Sequence, residues 1–363
     1  MGLKCGIIGL ANVGKTTIFN CMSSTKALTS NVATGTGKSN ISTINVPDNR
    51  LYELEKFQPT ERIVHTTVEI VDIPGLSKTT GKGEGNKFLA DVRNCDALIH
   101  VLRCFDDPSL PHIDGSIDPV RDIETVNFEL QVRDLESVEK KLQKVEKAAK
   151  VGDKEAKKAF EVLSVYKNHL ESFKNASTVP VDEHDKKYVD DLFLLTTKPV
   201  IYVCNVDEKS AVNGNQYSNR VKEFLKDEKT EILIIAGKVE AEISELESED
   251  DRKAFLADVG LTEPGVNKLI RAAYSLLNLE TFFTVGPKEI RAWTIKKGMT
   301  VPQAAGVIHS DLERGFIRAE VMKYNDFITL GSEHACREKG KLFVEGKSYV
   351  VEDGDILHIR FNV

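Results

Sequence analysis

The chain contains no run of about 18 apolar residues, the length at which a segment becomes a candidate to cross a lipid bilayer as a helix. The short apolar start, residues 1–9, leads directly into a motif and lacks the small-residue cleavage site of a signal peptide. A first β-strand is therefore the better interpretation of this segment. We expect a cytoplasmic protein with no membrane contact.

Closely spaced cysteine pairs are also missing. The 6 cysteines are scattered over 363 residues, and no two of them form a Cys-x-x-Cys pair. This spacing favours neither a zinc ribbon nor a disulfide framework, so reduced and mostly buried thiols are the expected state.

An excess of positive charge is absent as well. The formal net charge of -7 at pH 7 excludes a wholesale basic nucleic-acid binder, although a local basic face stays possible. With 41% hydrophobic and 29% charged residues, the composition is that of an ordinary globular protein. A length of 363 residues indicates two or three domains.

Residues 9–16, GLANVGKT, match the phosphate-binding pattern GxxxxGK[ST], with a predicted strand before the motif and a predicted helix after it. In such a loop, successive backbone N–H groups and the helix N-terminus face phosphate oxygens. Lys15 is expected to act catalytically by reaching the β- and γ-phosphates, and Thr16 is expected to ligate Mg²⁺. The predicted nucleotide-binding residues of this segment are Asn12, Val13, Gly14, Lys15, Thr16 and Thr17.

A second motif, VEIVDIPG at residues 68–75, accompanies the first. Asp72 ends an apolar strand and is predicted to hold the magnesium shell, and Gly75 can offer its N–H to a γ-phosphate. The next residue, Leu76, stands where switch GTPases place a glutamine that orients the attacking water. Since leucine cannot make that hydrogen bond, either hydrolysis is very slow or another side chain positions the water.

His112 is the best candidate for that task by residue type and by its place in a loop, residues 107–112. The alternative is an ordinary solvated loop histidine. A third metal ligand is predicted at Thr36. The surrounding residues 35–39 resemble the end of a second phosphate-binding loop (P-loop) like that at residues 9–16. Because Val32 replaces the first glycine of that pattern, we interpret the segment as a flexible switch loop.

Residues 205–208, NVDE, follow an apolar strand where guanine-specific proteins carry Asn-Lys-x-Asp. A short aspartate accepts both the N1–H and N2–H₂ donors of guanine, and the longer Glu208 is misplaced for that pairing. We therefore predict a preference for ATP over GTP, with Asn205, Val206 and Glu208 at the nucleotide base.

Strands that alternate with helices predict a parallel sheet covered on both faces. Between residues 121 and 173, apolar residues recur at spacings of three and four and are interrupted at 151–153. This pattern predicts an antiparallel coiled-coil hairpin; two solvated surface helices are the alternative.

From about Thr281 the chain is rich in strands, with one helix predicted from Thr300 to about His309 and a hairpin turn at 345–347, which suggests a β-grasp module. A basic surface there suits an RNA backbone, although ordinary solvated charge explains it almost as well. Its basic residues surround Trp293 and Phe316 and are Lys288, Arg291, Lys296, Lys297, Arg314, Arg318 and Lys323.

Together with KGEG at 82–85, HVLRCF at 100–105 and the run 285–316, these motifs resemble the YchF/Obg-like ATPase family over nearly the whole chain. The resemblance implies an α/β fold with three parts. These are a P-loop NTPase G-domain (1–120 and 198–280), an inserted antiparallel α-helical coiled coil (121–197) and a C-terminal β-grasp (TGS) domain (281–363).

The resemblance also implies slow ATP hydrolysis with ATP and Mg²⁺ as cofactors, and a loop histidine matching His112 in place of the missing glutamine. It further implies association with the ribosome, and with RNA through the coiled-coil and TGS surfaces; we expect a monomer. A nucleotide-dependent ribosome-binding module with negligible hydrolysis and a GTPase remain the alternatives.

The chain departs from the family pattern near the γ-phosphate. The family's switch segment usually reads close to Asn-Phe-Pro-Phe-Cys-Thr-Ile-Glu-Pro-Asn, whereas residues 31–40 read NVATGTGKSN and keep only Asn31, Thr36 and Asn40. Ala11 stands where the family usually has proline. Nucleotide binding should survive these changes, while the metal contact of Thr36 and the rate of hydrolysis are the properties they affect.

Overall fold

The computed structural model describes residues 3–24, 40–75 and 82–362, and for residues 82–87 it describes the backbone only. Three sequence predictions lie outside the described residues: the metal ligand Thr36, the switch segment up to residue 39, and Leu76. Within the described ranges, no helix combines the length and apolar character needed to cross a membrane.

The strands are β1 Lys4–Ile8, β2 Asn40–Asn45, β3 Ile63–Val64, β4 Thr67–Asp72, β5 Ala97–Cys104, β6 Val200–Val206, β7 Glu231–Ile235, β8 Leu279–Val285, β9 Ile290–Lys296, β10 Phe316–Lys323, β11 Leu342–Glu345 and β12 Asp355–Phe361. The helices are α1 Lys15–Ser23, α2 Arg50–Phe57, α3 Lys82–Arg93, α4 Pro119–Lys150, α5 Lys154–Glu171, α6 Gln216–Phe224, α7 Gly237–Glu245, α8 Glu249–Val259, α9 Gly265–Leu276, α10 Val301–Ile308, α11 Ser310–Arg314, α12 Tyr324–Leu330 and α13 Glu333–Glu338.

The described chain divides into two compact units, residues 3–24, 40–42 and 70–266 in one and 43–69 and 267–362 in the other. The domain boundaries inferred from the sequence divide the chain by function, whereas these two units are defined by how the residues pack. The inferred boundaries therefore stay a prediction. The mixed α/β fold class is confirmed.

The first sheet has the strand order β2-β4-β1-β5-β6-β7. Strands β1, β5, β6 and β7 run parallel, with Ile7 opposite Ile99 and Ile99 opposite Ile201. β5 is buried along its whole length, as expected for a central strand covered on both faces. The carboxyl ends of these strands form the edge at which open parallel sheets bind ligands.

Helices α4 and α5 form the predicted antiparallel hairpin. Their turn contains Gly152 at φ 98°, and Asp153 caps α5 by accepting a hydrogen bond from the Ala156 N–H at 2.9 Å. Val138 of α4 and Leu163 of α5 belong to one buried apolar cluster. The hairpin therefore has a core of its own and is not a pair of separately solvated helices.

The second unit has a sheet with the order β11-β10-β12-β8-β9-β3. Helix α10, predicted to begin at Thr300, starts as expected. The Thr300 N–H donates to Oε1 of Gln303 at 2.8 Å in a capping box. The turn at 345–347 does not join a hairpin, because β11 and β12 both pair with β10 and not with each other. That expectation was wrong because turn chemistry specifies a reversal of the chain but not its pairing partner.

Candidate nucleotide-binding site

The loop between β1 and α1 is tightly curled. Gly9, Asn12 and Gly14 have φ values of 143°, 62° and 96°. Positive φ is accessible to glycine and tolerated by asparagine, so the residue types match the backbone at these positions. At Gly14 a Cβ would also lie 2.2 Å from Nδ2 of Asn205, so any larger residue would break the contact of the loop with β6.

Lys15, the predicted phosphate ligand, is 7% exposed and donates from Nζ to the carbonyl oxygen of Leu10 at 2.5 Å. Burial lowers the pKa of Lys15 to about 8, and the nearby charge of Asp72 opposes that shift. A Cβ at Gly75 would lie 2.6 Å from Nζ of Lys15, which puts the Gly75 backbone directly beside the ammonium group. The two sequence motifs therefore meet at this point.

Thr16 and Asp72, two of the predicted metal ligands, also lie next to each other. Oγ1 of Thr16 donates to Oδ2 of Asp72 at 3.0 Å, although 56 positions separate them. Burial raises the pKa of Asp72, and the hydrogen bond from Thr16 and the charge of Lys15 act in the opposite direction. A hydroxyl and a carboxylate are the oxygen donors that Mg²⁺ takes, so this pair fits a magnesium ion. Thr17 follows on α1 with an exposed side chain.

Asn205, for which a place at the nucleotide base stays a prediction, connects two backbone segments. Its Nδ2 donates to the carbonyl oxygen of Val13 at 2.8 Å, and its Oδ1 accepts from the Gly237 N–H at 2.9 Å. The side chain thereby joins the P-loop to the N-terminus of α7. Its amide is used in positioning these two segments.

The residues after Asn205 differ in exposure. Val206 is the buried last residue of β6, and Glu208 is exposed at the start of a short 3-10 turn. Asp207 caps that turn, accepting from the Ser210 N–H at 3.2 Å. Glu208 is therefore the acidic side chain of this segment that is open to a ligand, while Asp207 is used by the turn.

Two contributors to this site were not anticipated from the sequence. Gly237 belongs to the segment Ala-Gly-Lys that follows the apolar strand β7. The two small residues directly after an apolar strand were the available signal. Arg103 is 2% exposed and donates to the carbonyl oxygens of Phe105 at 3.2 Å, Asp107 at 3.1 Å and Leu110 at 2.7 Å. Nothing in the sequence indicates that this arginine shapes the loop leading to His112.

The His112 side chain is only 3% exposed, which excludes the ordinary solvated histidine. Its Nε2 lies 3.0 Å from Oδ2 of Asp122 in the first turn of α4. The Asp114 N–H donates to its Nδ1 at 3.1 Å. The histidine is thus held between its own loop and the start of the helical hairpin.

The predicted basic surface of the second unit offers less to RNA than its composition suggested. Phe316 is 5% exposed and packs in the core. Trp293 carries the guanidinium of Arg291 4.1 Å from its ring centroid, and Lys323 is paired with Asp355 at 2.7 Å. Phe316 is therefore unavailable for base stacking, while Trp293 is partly buried and already stacked with Arg291.

Comparison with known proteins covers the whole chain. A family model described as "50S ribosome-binding GTPase" matches residues 4–150. The C-terminal YchF GTPase model, described as a protein of unknown function, matches residues 279–362. "Ribosome-binding ATPase YchF" of Bacillus subtilis (strain 168) is 46% identical over 367 residues, covering 100% of both chains.

The protein of the same name from Escherichia coli O157:H7 is 43% identical over 365 residues, again covering 100% of both chains. Among solved structures, the Schizosaccharomyces pombe YchF GTPase matches with a TM-score of 0.87 and 32% identity. That match covers 99% of this chain and 98% of the other.

Proposed function

The chain belongs to the YchF family, and from that premise we propose that it is a P-loop ATPase of low turnover that switches its association with the ribosome. The observation that carries the proposal is the cluster of Lys15, Gly75, Thr16 and Asp72. It combines a cation, a closely approaching backbone and two oxygen ligands, which are the groups that phosphoryl-transfer sites use to bind phosphate and Mg²⁺.

Each residue of the cluster has a separate task in this proposal. The Lys15 ammonium group would bind the β- and γ-phosphates, and the Gly75 N–H would donate to the γ-phosphate. Thr16 and Asp72 would hold Mg²⁺, with Thr36 as a further ligand. The ion, when bound, neutralises charge on the phosphate oxygens and leaves their positioning to the loop.

We propose ATP as the preferred nucleotide. Support comes from Glu208, which is exposed and stands at the sequence position where guanine-specific proteins carry a short aspartate, and from Asp207, which is used by its own turn. The names of relatives differ on this point, because the bacterial proteins are called ATPases and the Schizosaccharomyces pombe protein is called a GTPase.

Calorimetric titration with ATP, ADP and GTP in the presence of Mg²⁺ tests the base preference directly. We expect ATP to bind more tightly than GTP, and the substitution Glu208→Asp to narrow the difference. Tighter binding of GTP by the unmodified protein would contradict the proposal. Thr16→Ala measured with and without Mg²⁺ is a control that separates metal-dependent from base-dependent affinity.

For hydrolysis, we propose that His112 orients the attacking water. Replacement by alanine should slow the single-turnover release of phosphate while ADP affinity stays the same. A second function, a nucleotide-dependent binding module with negligible hydrolysis, is favoured by the engagement of both His112 ring nitrogens. Absence of phosphate release, both with and without ribosomes, would select that second function.

The partner surfaces are also proposals. The helical hairpin and the C-terminal TGS domain, 281–363, would contact the ribosome and its RNA, with the protein acting as a cytoplasmic monomer. Cosedimentation with ribosomes in the presence of ATP or ADP tests the association. Equal cosedimentation with both nucleotides would contradict a nucleotide-controlled switch.

A further inference from the structure

Both ring nitrogens of His112 are occupied. The Asp114 backbone N–H donates to Nδ1 at 3.1 Å, so Nδ1 must carry a lone pair and no proton. The proton of the neutral ring is then on Nε2, which lies 3.0 Å from Oδ2 of Asp122 and donates to it. In this arrangement the ring has no nitrogen left to orient a water molecule.

The carboxylate that holds the ring is itself deeply buried. The Asp122 side chain is 1% exposed and receives a second hydrogen bond, from Nη2 of Arg121 to its Oδ1 at 3.3 Å. Nη2 of Arg121 also lies 3.4 Å from Nδ1 of His112. His112, Asp114 and Asp122 have the ligand types of a metal site, but the guanidinium of Arg121 supplies the positive charge among them.

Asp122 and Arg121 belong to the hairpin, whereas Asp114 belongs to the loop of His112 itself. Asp122 lies in the first turn of α4, a continuous helix of 32 residues and about 48 Å. Ile123, beside it, packs in the core cluster that contains Leu102 of β5 and Tyr202 of β6 in the first sheet. The far end of α4 is the hairpin tip, where Val151 is 86% exposed. One rigid element therefore runs from the His112 contact to the most distant part of the hairpin.

We propose that Asp122 is a positioning residue that withholds His112 from water, and that α4 makes this contact depend on the position of the hairpin. The inference rests on the hydrolytic role proposed for His112. A partner that shifts the hairpin frees the Nε2–H of the ring, and the bare protein stays nearly inactive. Binding of a partner to the hairpin is thereby coupled to the rate of ATP hydrolysis.

The test compares single-turnover ATP hydrolysis with and without ribosomes in Asp122→Asn. Asparagine keeps the shape and a weaker acceptor but removes the charge that strengthens the hydrogen bond. We expect the basal rate to rise about five- to tenfold and the ratio of ribosome-stimulated to basal rate to fall. The rise should be absent in Asp122→Asn combined with His112→Ala, because the effect passes through the histidine.

The matched control is Asp118→Asn. Asp118 caps the same helix and pairs with Arg220 at 3.0 Å, and asparagine is an equally good cap, so this change alters charge at the start of α4 without touching His112. Its basal rate should stay unchanged. A basal rate in Asp122→Asn that is unchanged or lower, with the protein folded, would overturn the inference.

A spectroscopic measurement separates failure of this inference from failure of the proposed function. Long-range ¹H–¹⁵N correlation of the His112 ring in the nucleotide-free protein should report a proton on Nε2 and none on Nδ1. A proton on Nδ1 would overturn the withheld arrangement whatever the kinetics show. An unchanged rate in His112→Ala alone would instead remove the histidine from the hydrolytic mechanism.

Discussion

The side-chain amide of Asn205 donates to the carbonyl oxygen of Val13 at 2.8 Å, joining the end of β6 to the P-loop across 192 positions of sequence. The same amide accepts from the Gly237 N–H. Because all three groups are buried, the loss of this side chain leaves a carbonyl and an N–H without partners. The contact links the P-loop to the end of β6 and to the start of α7.

Asn205→Ala should therefore weaken ATP and GTP alike and lower the free energy of unfolding by about 1–3 kcal/mol. Asn205→Asp is the matched variant, because it can still accept from Gly237 but cannot donate to Val13. Calorimetry and urea denaturation give both quantities. A loss of affinity for one base only would show that Asn205 reads the base and does not position the loop.

Gly75→Ala is expected to slow hydrolysis more than it weakens ADP binding. The added methyl group would lie 2.6 Å from Nζ of Lys15 and 3.1 Å from the backbone nitrogen of Ala11, so the ammonium group must move. The movement affects the γ-phosphate side most, where Gly75 is proposed to donate. Single-turnover kinetics and ADP titration test this, with Gly346→Ala as the control because its Cβ meets nothing within 4 Å. Equal losses in both measurements would contradict it.

The parts of the site that were predictable are those encoded in local patterns. The P-loop and the strand ending at Asp72 are contiguous motifs whose backbone geometry follows from residue type, so their meeting at Lys15 and Thr16 could be expected. The role of Asn205 could not, since it depends on Val13 and Gly237, far away in the chain. The hairpin followed from apolar periodicity, whereas strand β3 joins β9 across more than 200 positions, which no local pattern specifies.

The buried His100 should make the stability of the protein sensitive to acid. It is 1% exposed in β5, and burial, assisted by the charge of Lys15, lowers its pKa from 6.5 to about 3. The unfolded chain binds the proton more readily than the folded chain. His100 therefore leaves the free energy of unfolding unchanged above pH 6.5 and lowers it as the pH drops from 6.5 towards 3. On going from pH 7 to pH 5, this residue should lower the free energy of unfolding by about 2 kcal/mol.

Urea denaturation at the two pH values, compared between the unmodified protein and His100→Leu, isolates this contribution. The variant should be the less sensitive to acid by about that amount, whatever its stability at pH 7. Identical pH dependence of the two proteins would mean that His100 is protonated or solvated in the folded state.

Arg103→Lys should loosen the loop that carries His112 while leaving nucleotide affinity intact. The guanidinium donates to three carbonyl oxygens of residues 105–110, and a lysine ammonium at a single point cannot reach all of them. Hydrogen exchange of the amides of residues 106–112 should accelerate, and stability should fall by about 1–3 kcal/mol, because buried carbonyls lose their donor.

Arg220→Lys is the control, since Arg220 is half exposed and, within the described part of the chain, pairs with Asp118 rather than with residues of that loop. If Arg103 acts on hydrolysis through His112, then Arg103→Lys should change the rate of phosphate release in the unmodified background and have no further effect in His112→Ala. An equal effect in both backgrounds would mean that Arg103 acts on the nucleotide-binding sheet itself, through β5 and its pairing with Asn205 in β6.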